Sequence, residues 1–449
     1  MSALKDAAPE PSFARRLGAF DATMIVMGGI IGAGIFVNPS VVARQVHTPL
    51  LVLGAWLIGG VIALIGAFVY AELAVLRPRV GGQYAYLRDA YHPIVAFLYG
   101  WTLLLVVQTG GMAGAAIIFG RYFRELSGLA IPEQAIGALA LGILTAINCL
   151  GIRAGSNVQS ALMLTKLGAV ALLIGVGWMF VAPAADLTTT VPANGPDNAW
   201  KGLAAAMVPV LFAYGGWQTA TFVSGEMRNP RRDLPRGLFI GVAGVVVVYL
   251  LVTYVCLRAL GVSGLANTTT PASEVMRQAL GSRGAKIIAC GIAVSTVGFL
   301  SQSILTAPRV YYAMARDGVF FKAVGKLNPR TRVPVIAIVL QGIWAAIVAM
   351  TGRYEQILNY VVTIDVLFFG LTGASLLIFR ARSRRDGTDE SAGELVRVPW
   401  HPFTTWLFVL ACWGVAISTL LRFPQNAGIG VVILGIGALV YRFWKAPAR

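Results

Sequence analysis

Apolar residues in this chain fall into long runs separated by short polar stretches, and the length of the runs predicts its elements. The first run begins at 19–23 and ends at 45. Others cover 50–76, 92–120, 132–151, 157–182, 203–225, 237–260, 285–308, 334–351, 356–379, 402–421 and 426–444. Each is close to the ~20 residues that a helix needs to cross hydrocarbon. The pattern predicts an all-α integral membrane protein with twelve transmembrane helices and both termini on one side.

Two of the twelve runs are interrupted. In the first, Gly28, Gly29, Gly32 and Gly34 stand within residues 27–36, where each glycine weakens a helix by roughly 1 kcal/mol relative to alanine. In the sixth, Pro209 is followed by Phe212, Ala213, Tyr214, Gly215, Gly216, Trp217 and Gln218. A break at mid-membrane depth exposes backbone polar groups, and it persists where it lines a cavity holding a polar ligand or ion. Close helix packing is the other reading, because Gly28-x-x-x-Gly32 is a small-xxx-small pattern. Runs one and six hold the same ordinal place in two sets of five, and paired interruptions of that kind point to the binding site of an inverted-repeat transporter.

Composition removes the soluble alternatives. The 449 residues are 57% hydrophobic and 12% charged, too apolar for a soluble protein of this length. A net charge of +17 raises the question of nucleic acid, but no basic patch with base-stacking or groove-reading elements is visible, so no nucleic-acid partner is expected. Cys149, Cys256, Cys290 and Cys412 lie inside apolar runs without metal-ligand spacing, which argues against disulfides and zinc. Neither a P-loop, a Gly-x-Ser-x-Gly elbow nor an HExxH motif occurs, so the reading is not an enzyme and no cofactor is expected.

The charge follows the lipid bilayer instead. With the termini inside, 24 of the 36 Lys and Arg fall on cytoplasmic segments, among them Arg77, Arg79, Arg88, Arg153, Arg228, Arg231, Arg232 and the cluster 380–385. This positive-inside bias predicts a multi-pass protein of the plasma (inner) membrane with cytoplasmic termini. The outer loop before run eight, with Arg277, Arg283 and Lys286, is the least tidy part of the alternation. Residues 1–18 carry Pro9 and Pro11 and no apolar core, and read as a cytoplasmic tail.

The motifs carry a resemblance. Residues 28–36 resemble the first-helix motif of the amino acid–polyamine–organocation superfamily, as does the stretch from Tyr70, Glu72 and Leu73 to Pro78, Gly81, Gly82, Tyr84 and Tyr86. Residues 212–217, followed by 226–235, are similar to the sixth helix and next loop of the L-type amino acid transporter branch. The resemblance implies a LeuT-like 5+5 inverted repeat with broken helices one and six. Residues 19–182 and 203–380 would be the two five-helix repeats, 381–401 a cytoplasmic loop, and 402–449 helices eleven and twelve with a short cytoplasmic C-terminus.

Two facing breaks suit a zwitterion. The first half of span one ends in free carbonyls near Ile30 and Ile31, and the second half begins, past Gly32, with free N–H groups at Ala33, Gly34 and Ile35. A carboxylate is favoured at the N-terminal end of a half-helix and an ammonium at C-terminal carbonyls. The resemblance implies that carbonyls of Phe212, Ala213 and Gly215 complete the ammonium site, and that Phe212 is an aromatic gate. Trp217 and Gln218 would face the substrate side chain, or else serve helix packing. Ala33 stands where family members often carry serine, so backbone N–H groups are expected to dominate.

Lys166 lies about nine residues into span five, roughly 13 Å along a helix, too deep for easy snorkelling. In the family a lysine here replaces the sodium ion of coupled relatives, with carbonyls near Gly28 or Gly29 and the hydroxyls of Ser295 or Thr296 as partners. That implies sodium-independent transport. Asp365, about ten residues into span ten, is either a protonatable coupling group or a hydrogen-bonded interior acid. Glu72 and Glu226 read as gate or loop ion pairs, and the family pattern alone suggests that Tyr254 reaches the broken first helix. The functional readings are an exchanger of L-amino acids, chiefly neutral; a proton-coupled amino acid or amine symporter; and a receptor or channel without turnover. In animal relatives a cysteine in the outer loop between spans three and four bonds a heavy chain. Residues 124–134 have none, so no disulfide-linked heavy subunit is expected, as in prokaryotic members.

Overall fold

The computed structural model describes residues 17–77, 81–150, 155–184, 197–385 and 396–443. The tail 1–16, Pro78 and Arg79, Arg153, residues 386–395 of the loop 381–401 and residues 444–449 lie outside the described residues. Apart from an isolated bridge pairing Leu17 with Met227, the described residues are helical, in turns or in short irregular connections.

The first apolar run forms two helices, α1 (Ala19–Ile30) and α2 (Gly34–Gln45), bent by 42° at residues 31–33. Next comes α3 (Pro49–Leu76), started by Pro49 in the first turn and by the Thr48 hydroxyl, which accepts from Leu51 N at 3.3 Å. The following spans are α4 (Pro93–Ser127), α5 (Gly155–Phe180), α6 (Asp197–Tyr214), α7 (Pro230–Asn267), α8 (Pro271–Thr306), α9 (Tyr354–Arg385) and α10 (Phe403–Arg422). Shorter apolar helices cover Glu133–Cys149, Val335–Thr351 and Gly428–Phe443.

Among the described residues seven helices are long and apolar enough to cross a membrane, or eight when the bent α1–α2 pair is one span. The difference from the twelve apolar runs has a local cause. Two of the shorter helices have only 17 residues each, and the sixth run breaks at Gly215 and Gly216, so α6 takes its length from a polar start, Asp197 to Lys201, and is not apolar enough.

The surface identifies the solvent. Leu57, Leu139, Ile143, Ile147, Leu164, Ile240, Val247, Ile287, Ile343 and Leu410 all stand exposed. A water-soluble protein does not leave so many large apolar side chains outside, whereas hydrocarbon accepts them at no cost. Inside, α1 lies directly on α7. A Cβ on Gly237 would come within 2.5 Å of Ala22, and one on Gly241 within 2.6 Å of Val26, so this small-xxx-small pair brings the two backbones together. That contact holds the first half of the broken span while leaving its end at Ile30 facing the bundle interior.

Candidate binding site between the two breaks

The chain cannot continue as one helix from α1 into α2. Ile31 N still bonds to Met27 O at 2.7 Å, but Gly32 N turns back to Ile30 O at 2.8 Å, and the next helical bond begins at Phe36 N. Among the described residues, the N–H groups of Ala33, Gly34 and Ile35 therefore have no acceptor. The second break is sharper. Gly215 N bonds to Phe212 O at 3.2 Å, Gly216 takes a φ of +107°, and Gly216 N donates to Gln218 Oε1 at 2.9 Å. The chain resumes as a short helix, Thr219–Phe222.

The breaks touch. A Cβ on Gly216 would stand 2.1 Å from Gly29 O, and one on Gly29 would stand 2.7 Å from Gly216 O. Glycine is required on both sides, at Gly216 also by the left-handed φ. Beside this contact lies a cavity of about 80 Å³. Gly32, Ala33, Gly34, Phe212, Ala213 and Gly215 bound it from the broken spans, and Gln108, Phe299, Gln302 and Asp365 from their neighbours. A π-helical turn over residues 103–107 of α4 delivers Val107 and Gln108 to the wall.

Two polar side chains fasten the broken ends. Lys166 Nζ, fully enclosed, donates to Gly28 O at 3.1 Å and Ile31 O at 2.7 Å, the carbonyls that the break leaves open. Tyr249 Oη is within hydrogen-bond distance of Ile30 O at 2.8 Å and Ala213 O at 3.2 Å, and so ties both breaks to α7. Gln302 Nε2 donates to Ile25 O at 2.6 Å.

These bonds correct several expectations. Tyr254 does not reach the first helix: it is partly exposed and lies against Trp178, ring centroids 5.5 Å apart. Tyr249 takes that place. Five residues along a helix turn a side chain through roughly 140°, so only one of the two tyrosines can face inward. Lys166 makes no hydrogen bond to Ser295 or Thr296. The Thr296 hydroxyl donates to Ile292 O at 2.8 Å, and Ser295 Oγ is without a partner. Trp217 does not line the cavity but packs edge-on to Tyr70 at 4.6 Å and beside Phe369 at 5.2 Å, next to a separate small void. Ile31 and Ile35 are buried outside the lining, and the Ile30 and Ala213 carbonyls already accept from Tyr249. Gly215 O remains open for a cation, and Phe212 O, which accepts from Gly215 N, has a second lone pair to offer.

Toward the Arg44 end the cavity is closed by one thin layer. Phe212 meets Tyr354 edge-on at 6.1 Å, Tyr354 Oη donates to Asn38 Oδ1 at 2.9 Å, and Asn38 Nδ2 donates to Pro209 O at 2.9 Å. Beyond it opens a larger vestibule lined by Arg44, Arg121, Glu133, Glu355 and Asn359. Toward the Leu17 end the closure is thick. Glu226 pairs with Arg309 at 3.0 Å, Glu72 with Arg380 at 2.6 Å, and Arg88 with Asp317 at 2.5 Å. Glu72 also accepts from Val398 N at 2.7 Å, and Leu17 N donates to Glu226 O at 3.0 Å. The two glutamates thus pair with arginines from distant elements, not with those beside them in sequence. Tyr249, Asn38 and Tyr354 carry no motif, and only their position on an inward helix face could have singled them out.

Comparison with known proteins places this arrangement among transporters. The chain is 29% identical over 436 residues to the large neutral amino acids transporter small subunit 2 of Mus musculus, covering 95% of this chain and 80% of that one. It is 29% identical over 435 residues to the serine/threonine exchanger SteT of Bacillus subtilis (strain 168), covering 95% and 96%. To the b(0,+)-type amino acid transporter 1 of Mus musculus it is 28% identical over 443 residues, covering 96% and 88%. Residues 17–438 match the family described as amino acid permease.

Proposed function

Because the chain belongs to the amino acid permease family, and is a multi-pass membrane transporter and not an enzyme, we propose that it is a sodium-independent exchanger of neutral L-amino acids working by alternating access. The observation that carries this reading is the polarity of the cavity. Unpartnered N–H groups of Ala33 and Gly34 stand on one side, and carbonyls of Phe212 and Gly215 on the other. A carboxylate takes the first and an ammonium the second. Phe212 acts as the gate, supported by its contact with Tyr354 between cavity and vestibule. The thin closure on the Arg44 side and the triple ion-pair closure on the other describe an occluded state nearer to opening outward.

Lys166 supports the absence of sodium coupling, since its ammonium already holds the carbonyls a cation would use. A twelve-span, LeuT-like arrangement is supported by the eight long spans, the three shorter apolar helices and the interrupted run 203–225. The excess of Lys and Arg on alternate loops supports a plasma-membrane protein with cytoplasmic termini. With no cysteine at 124–134, it works without a disulfide-linked heavy subunit.

Thermal shift of the purified protein tests the site. A ligand that binds only the folded state stabilises it by about 2.7 kcal/mol at a hundred times its Kd. A neutral amino acid should stabilise in choline medium, and its methyl ester and N-acetyl derivative should not. Equal stabilisation by the ester, or a requirement for sodium, would contradict the proposal.

A further inference from the structure

Among the described residues that line the cavity, Asp365 is the only one with an ionisable side chain, and the zwitterion does not use it. It sits on α9 and lines the cavity with Gly215, Val366 and Phe369, its Oδ2 3.9 Å from where a Cβ on Gly215 would stand. Among the described residues no hydrogen bond or ion pair reaches this carboxylate. Lys166, the cation in the same core, is committed to Gly28 O and Ile31 O. Its neighbours on α9 that line the cavity, Val361, Val362, Val366 and Phe369, are apolar, and the polar lining side chains Gln108, Gln218, Gln302 and Ser303 make no hydrogen bond to it. The hydroxyls of Tyr70 and Tyr99 and the thiol of Cys412 act electrostatically on Asp365, and neither hydroxyl makes a hydrogen bond to it.

We infer that Asp365 reads the substrate side chain, and that the site prefers amino acids with a short side chain carrying a hydrogen-bond donor. This rests on the exchanger reading above and narrows its substrate class. An acceptor left without a donor inside the bundle is costly, and an occupant that supplies the donor removes the cost. A site built to bond a substrate hydroxyl discriminates strongly against the analogue that lacks it, because the site's own group is then left unpaired. Size points to short side chains. At about 10–15 Å³ per water-sized group, a cavity of about 80 Å³ accommodates roughly five to eight such groups. Threonine, with about eight non-hydrogen atoms, is near that limit by the same measure.

Threonine and valine have nearly the same shape and differ by one hydroxyl, so their ratio isolates the effect. Proteoliposomes loaded with a mixture of amino acids should exchange external threonine at least about tenfold more efficiently than valine, the worth of one hydrogen bond to a charged group. In Asp365→Leu the preference should fall to about one or reverse. The wild-type ratio stands alone if that variant fails to assemble. Valine exchanging as well as threonine in the wild type overturns the inference and leaves the exchanger reading intact, as does an unchanged preference in an active Asp365→Leu. Lysine outcompeting threonine overturns it as well, by showing that the carboxylate serves a long cationic side chain. Absence of exchange with every amino acid removes the exchanger reading itself.

Discussion

Replacing Lys166 by methionine keeps a flexible side chain of similar length but removes the ammonium. Gly28 O and Ile31 O, now held at 3.1 and 2.7 Å, would lose their donor inside the bundle. Interhelical hydrogen bonds in membranes are worth about 0.6 kcal/mol each on average and about 1.7 at most, so two give about 1–3.5 kcal/mol. The loss falls on the broken geometry, because both carbonyls belong to the residues on either side of the turn that frees Ala33, Gly34 and Ile35. Substrate affinity should therefore drop about 8- to 300-fold. Equilibrium binding of a labelled neutral amino acid to purified wild-type and Lys166→Met protein measures it, with gel filtration to confirm that both are folded. An unchanged Kd in the folded variant would refute the idea that Lys166 holds the break open.

Three other outcomes follow from named contacts. Gly34→Val should abolish substrate binding in a protein that still folds. The new Cβ would sit 3.3 Å from Ala213 Cα and 3.4 Å from Asn38 Nδ2, so the branched side chain fills the space between the breaks; retained binding contradicts the carboxylate site. Tyr249→Phe removes the hydroxyl that reaches Ile30 O and Ala213 O and should weaken binding about 3- to 20-fold, whereas Tyr254→Phe, on the outer face, should leave it unchanged. In the loop before α10, burial and then the Arg380 and Arg384 charges push His401 down to about 4, so it stays neutral in the folded protein where the unfolded chain, near 6.5, takes up a proton. Acidification below about pH 6.5 should therefore lower the melting temperature, and less so in His401→Gln; identical profiles would show that the loop is not held there.

How much of this was legible depends on what kind of signal each feature leaves. The breaks at 28–34 and 215–216 were readable because glycine is the residue that a close backbone approach demands, and the Gly29–Gly216 contact is such an approach. Lys166 was readable because a charge deep in an apolar run is expensive. Its second carbonyl, Ile31 O, was not, since that depends on how the chain turns after Ile30. Trp217 stands beside the break in sequence yet faces α3 and α9, while Gln218 and Thr219 just after it line the cavity, a division within one turn that the sequence does not mark. Tyr249 and Tyr254 are chemically identical in the sequence, and only the rotation of α7 on α1 decides between them. The ion pairs of Glu72 and Glu226 join residues hundreds or scores of positions apart, which no local pattern encodes.

Obligatory exchange of amino acids without sodium is open to direct test by counterflow. Purified protein is reconstituted in liposomes with or without internal unlabelled neutral amino acid, and uptake of the labelled amino acid is followed in choline medium. Uptake should be rapid into loaded vesicles, slight into empty ones, and unchanged when sodium replaces choline. Equal uptake into empty vesicles, or uptake that appears only with an imposed sodium or proton gradient, would contradict it.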